Sequence, residues 1–231
     1  MAQPDKPSPP GLSMLARAGH LEYDRVLFFS DAIFAIAITL LVIDIRVPGA
    51  KNAASEISAA KDNILSFAIS FVVIGLFWMG HHAVFRYITV LDRPLIAINL
   101  LFLGIIAFLP YPTSLLGGTG TDRVSTIFYA ACISGAGLAE LAIWLYASQA
   151  KDLLVPGVSR DVRHYMALRV ARIPVVFLLS IPIAFVSAQL ASFFWILVGV
   201  LGLALDRFAR PADEHNDEGN PRTRPADCPA G

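Results

Sequence analysis

Arg25-Val-Leu-Phe-Phe29-Ser30-Asp31-Ala-Ile-Phe-Ala-Ile36-Ala-Ile-Thr39-Leu40-Leu-Val-Ile43-Asp44-Ile-Arg46-Val-Pro48 is the stretch on which the fold turns. From Val26 to Ile43 only Ser30, Asp31 and Thr39 interrupt the apolar side chains. As a helix rising about 1.5 Å per residue, the run spans a hydrocarbon layer of about 30 Å. A carboxylate in such a helix costs on the order of 3 kcal/mol at the bilayer centre and less towards its edge, so Asp31 needs a partner or water. Arg25 and the later His81-His82 pair are the candidates. Residues three and four apart share a helix face, which places Phe29, Ala32, Ile36, Leu40, Ile43 and Val47 on one stripe with Thr39 at its border. Asp31 points roughly to the opposite side. By pattern alone the stripe suits either lipid or a neighbouring helix.

The rest of the chain repeats the theme. Of 231 residues, 56% are hydrophobic and 16% charged, against about half and about a quarter in a soluble domain. The excess is gathered into runs, which predicts an all-α protein with six transmembrane helices at roughly 26–47, 63–84, 95–115, 124–147, 171–188 and 190–206. Residues 1–20 read as a disordered, proline-rich lead, 21–208 as the six-span unit and 209–231 as a disordered tail. Residues 49–62 are too polar to cross, and a short surface helix is expected there. The first apolar run is too long for a signal peptide and is expected to be retained. Six spans put both termini on one side. That side holds fourteen of the eighteen lysines and arginines, so the positive-inside rule places both ends in the cytoplasm and the spans in the cell inner membrane.

Net charge is zero, which leaves no nucleic-acid footprint. Cys132 and Cys228 are read as free thiols. His81 and His82 diverge by about 100° on a helix, and no carboxylate or cysteine stands at zinc-site spacing, so no metal is expected. No nucleophile triad or phosphate-cradling loop is visible, and an enzyme is not expected. Glu140 lies in the fourth span among Gly135, Gly137 and Ala139, where helix packing or an interfacial position is favoured over an ion site. Ser134, Gly135, Ala136 and Gly137 suit close helix contact. Trp144 and Tyr146 suit an interfacial aromatic belt. Asp44 and Arg46 stand near the outer mouth.

Arg25-x-x-x-Phe29-Ser30-Asp31 at the start of the first span resembles the signature of the transmembrane protein 175 family, potassium channels of endolysosomes and bacteria. Trp78-x-x-x-His82 closing span two supports the resemblance. So do Asn99-Leu-Leu-Phe-Leu and Leu109-Pro110-Tyr111-Pro112 in span three. The resemblance extends over residues 21–208. It implies a homotetramer in which the first helix of each subunit lines a central pore for potassium, with no cofactor. It implies hydrophobic constrictions at Ile36, Leu40 and Ile43, and a threonine ring linked to selectivity at Thr39. Ile36, nearest the cytoplasm, is expected to be the principal neck. A dewetting neck penalises ions that hold water tightly, and potassium holds it less tightly than sodium. Arg25, Asp31, Trp78, His82 and Asn99 are expected to form a polar cluster that fixes the pore helix, alongside Phe29 and Ser30 of the motif. The alternative is a proton-coupled secondary transporter with Asp31, His82 and Glu140 as a relay.

Overall fold

A computed structural model describes residues 10–43, 57–58, 60–119, 122–150 and 152–208. Its helices are α1 (Pro10–Ile43), α2 (Lys61–Phe85), α3 (Arg93–Phe108), α4 (Pro110–Thr119), α5 (Arg123–Gln149), α6 (Arg160–Val186), α7 (Ala188–Phe194) and α8 (Leu197–Phe208). Among the described residues, six helical segments are long and apolar enough to cross a membrane: Leu21–Ile43, Lys61–Phe85, Arg93–Thr119, Arg123–Gln149, Arg160–Val186 and Ala188–Leu205. The all-helical, six-span architecture expected from the apolar runs is therefore present.

Local chemistry sets the helix starts. Asp92 accepts from the Leu95 amide at 2.9 Å ahead of α3, and Asp122 accepts from the Val124 and Ser125 amides ahead of α5. Ser159 and Ser187 accept from the Val162 and Leu190 amides ahead of α6 and α7. Each side chain satisfies an amide that the first helical turn leaves unpaired, which matters more in lipid than in water.

Several boundaries differ from those expected. The first helix begins at Pro10, inside the expected lead, because proline suits the first turn and Leu, Met, Ala and Arg follow it. Span three is two helices that meet at Leu109, where Pro110 cannot donate to the α3 ladder and instead starts α4. The fifth span starts at Arg160 rather than near 171. Its first turns carry charge, which lowers hydropathy but does not oppose helix formation. Pro174 and Pro182 lie inside α6 without ending it. Residues 44–56, with Asp44, Arg46, Val47 and Pro48, fall outside the described residues, as does the tail from 209.

The α5–α6 pair is the most extensively packed among the described helices. A Cβ on Gly137 would lie 2.6 Å from Cδ of Pro174, so the small-residue stretch of α5 does permit the close contact expected of it. Trp144 is fully buried with its indole N–H donating to the Arg163 carbonyl at 3.0 Å, so it belongs to the core and not to an interfacial belt. Tyr146 donates to Asp92. Deeper along the bundle, Ser70 of α2 shares hydrogen bonds with Thr113 of α4 at 2.8 Å and Tyr129 of α5 at 3.0 Å. At the end where α2 stops and α6 starts, Thr89 and Val155 amides donate to the Leu153 and Tyr87 carbonyls, joining the two links there.

Candidate functional site

The two faces of α1 differ sharply. Phe34, Ala37 and Leu41 are 1–2% exposed, and Ser30 is fully buried. On the other face Ile36 is 54% exposed, Leu40 40% and Ile43 73%, with Thr39 beside them. The stripe expected from periodicity thus lies off the chain's own core. The Thr39 hydroxyl donates to the Ile36 carbonyl at 2.9 Å, which ties the hydrogen inward and leaves oxygen lone pairs on the exposed face.

Besides the Tyr23 hydroxyl, which donates to the Phe85 carbonyl at the end of α2, two polar connections fix the rotation of α1. The inner one is buried. Ser30 Oγ donates to the Val26 carbonyl at 2.9 Å and accepts from Asn99 Nδ2 at 3.2 Å. Because the Asn99 amide nitrogen is used there, its Oδ1 accepts from Nε2–H of His81 at 3.0 Å. The His81 ring lies between Phe85, 4.2 Å away and nearly parallel, and Phe102, 5.6 Å away, with Phe34 edge-on. A three-residue polar chain thus crosses from α1 through α3 to α2, with each end enclosed by apolar side chains. The outer connection is a single hydrogen bond, Trp78 Nε1 to Asp31 Oδ1 at 2.9 Å. His82 stacks on Trp78 at 6.0 Å.

The expected five-residue cluster is therefore two separate connections. Asp31, Trp78 and His82 form one, and Asn99 belongs to the other with Ser30 and His81. Arg25 joins neither among the described residues. It lines an open groove of about 440 Å³ between α1 and α3, together with Glu22, Phe29, Leu91 and Asn99. His81 is the member that sequence reasoning passed over. Adjacent histidines face different ways on a helix, so the two could be expected to have different surroundings. The stretch also supplies one wall of the cage, since Phe85 follows His81 at helical spacing and stacks on it.

Glu140 is buried at 1% exposure, and Arg169 and Arg172 of α6 lie within electrostatic reach. No hydrogen bond among the described residues carries it towards Asp31 or His82, so the three do not form a connected relay. No group of three or more His, Cys, Asp or Glu side chains able to hold a metal ion exists among the described residues.

Comparison with known proteins follows the same geography. The family model described as endosomal/lysosomal potassium channel TMEM175 matches residues 25–110, from the start of the α1 motif to Pro110. A potassium channel of Streptomyces collinus is 36% identical over 176 residues, covering 73% of this chain and 85% of that one. The endosomal/lysosomal proton channel TMEM175 of Gallus gallus is 34% identical over 142 residues, covering 55% of this chain and 28% of that one. The crystal structure of a lysosomal potassium-selective channel TMEM175 homolog from Chamaesiphon minutus superposes with a TM-score of 0.69 at 27% identity, covering 80% of this chain and 98% of that one.

Proposed function

The chain belongs to the TMEM175 family, and from that premise we propose that it forms a passive, potassium-permeable channel in which α1 of each subunit faces a shared axis. Four copies close the ring. Ile36, Leu40 and Ile43 form successive hydrophobic constrictions, and Thr39 presents an oxygen ring between them. Arg25, Phe29, Ser30 and Asp31 open the pore helix at its cytoplasmic end, and Trp78, His82 and Asn99 support it from α2 and α3. The chain lies in the cell inner membrane with both termini cytoplasmic, in keeping with the distribution of Lys and Arg.

One observation carries this reading. The face of α1 that holds Ile36, Thr39, Leu40 and Ile43 is unpartnered within the subunit, while buried hydrogen bonds prevent the helix from rotating it inward. Permeation needs no coupled energy source, since a membrane potential supplies about 2.3 kcal/mol per unit charge per 100 mV. A neck of branched alkyl groups conducts only when wetted, and a potassium ion gives up part of its shell there at less cost than sodium.

The test is exchange of Ile36 for Asn with potassium and sodium currents recorded in bilayers. A polar neck holds water, so conductance rises several-fold and the potassium/sodium ratio falls towards one. Unchanged conductance and ratio remove Ile36 from the pore. Proton flux recorded alongside tells whether protons share the route, as the name of the Gallus gallus relative raises. Saturable uptake without unitary steps would favour a carrier.

A further inference from the structure

The turn of α2 that carries Trp78 and His81 is held from behind as well as in front. In front it reaches Asp31, and through Asn99 it reaches Ser30. Behind it stands Gly80. A Cβ built there would lie 2.6 Å from Oε1 of Glu140 and 3.3 Å from its carboxyl carbon. Glycine at this position therefore lets a carboxylate from α5 rest directly on the α2 backbone.

That carboxylate is 1% exposed, and its Oε1 has no hydrogen-bond partner among the described residues. A buried carboxylate persists only where nearby charge compensates it. Compensation comes from α6, whose Arg172 and Arg169 lie within electrostatic reach. The Arg172 guanidinium in turn reaches across to α8, where a Cβ on Gly202 would stand 2.9 Å from Nη1. Leu76, Met79, Gly80, Glu140, Arg169 and Arg172 border a cavity of about 20 Å³, room for about one water. Apolar side chains would pack this volume with less penalty, so a role beyond packing is indicated.

We infer that Glu140 is a positioning residue for permeation: through Gly80 it sets how far the Trp78–His81 turn stands from the α5–α6 scaffold, and so where Ser30 and Asp31 hold the pore helix. This rests on the channel reading above. The arginines on α6 anchor the carboxylate, Gly80 passes its position to α2, and the two polar connections pass it to α1.

Glu140→Gln and Gly80→Ala are reconstituted beside the wild type, with Ser134→Ala as a buried control on α5 whose hydroxyl bonds only its own helix. Subunit assembly and thermal stability are read with the potassium/sodium ratio. Both test variants shift the ratio by about threefold or more at wild-type assembly, the scale on which remote packing changes alter a coupled site. The control leaves it unchanged. The double variant Gly80→Ala with Glu140→Asp restores the ratio, because a carboxylate one methylene shorter makes room for the new methyl. Should Glu140→Gln fail to assemble, the Gly80→Ala shift and its rescue decide. Wild-type ratios in both Gly80→Ala and Glu140→Gln overturn the inference and leave the channel intact. Wild-type vesicles that pass no cation overturn the channel reading and this inference with it.

Discussion

The first and last spans are equally bare within the subunit, and their difference lies in how they are held. In each, 22% of the apolar window is buried, against 56% in α5. The last span, α7 and α8, is anchored at one residue, by aromatic packing and a buried hydrogen bond to α6. Trp195 stacks on Phe177 at 5.1 Å and lies against Tyr129, and its indole N–H donates to Ser180 at 2.9 Å. Its exposed side chains, Phe193, Ile196, Val200 and Leu203 among them, are large and apolar. The first span is held at several levels, by polar bonds to two other helices and by the buried Phe34, Ala37 and Leu41. Anchoring at a single residue suits a helix whose outer face meets lipid, because acyl chains accept any rotation of similar apolarity. Bonds that specify one rotation suit a helix whose outer face must meet a defined partner. The family match, residues 25–110, contains α1 from Arg25 onward with its partners on α2 and α3, and excludes α7 and α8.

The largest effect tests the packed anchor. Phe177→Ala removes the ring beneath Trp195 and costs about 3–5 kcal/mol of subunit stability, read from unfolding in detergent. Loss under about 1 kcal/mol would mean that the scaffold does not hold the last span. Asn99→Leu comes next. It leaves the His81 Nε2–H unpaired in an apolar setting, at a cost of about 1–3 kcal/mol, while the Ser30 hydroxyl keeps its bond to the Val26 carbonyl. Its distinguishing outcome is an altered potassium/sodium ratio in whatever fraction still assembles. Trp78→Phe is smaller, since one exposed hydrogen bond contributes about 0.5–1.5 kcal/mol. It shifts conductance while leaving the unfolding midpoint close to wild type. If Trp78→Phe proves more damaging than Asn99→Leu, the outer connection rather than the buried one sets the helix.

Much of this was legible in the residues. The apolar runs marked six spans because a hydrocarbon layer demands length and apolarity before anything else. The period of Ile36, Leu40 and Ile43 marked one face, and the structure leaves that face outside the subunit core. The upstream turns of α6 were hidden by Arg160, Arg163 and Arg169, which depress hydropathy without weakening a helix capped by Ser159. The Leu109 break was hidden because proline either bends or ends a helix, and only packing decides which. The division of the polar cluster was the least visible. Trp78, His81 and His82 share a single turn, and which histidine turns inward depends on Phe34 and Phe102, residues far away in sequence. Trp144 illustrates the converse: a span-end tryptophan suggests the interface, while a carbonyl at Arg163 draws it into the core.

The most direct test places a single thiol on each bare span. In a background with Cys132 and Cys228 replaced by Ser, Ile36→Cys and Val200→Cys channels are exposed to a charged, water-borne thiol reagent while potassium current is recorded. Block at position 36 that reductant reverses, with no effect at position 200, is the predicted result. Current that continues unchanged after complete labelling at position 36 would contradict a pore walled by the first helix.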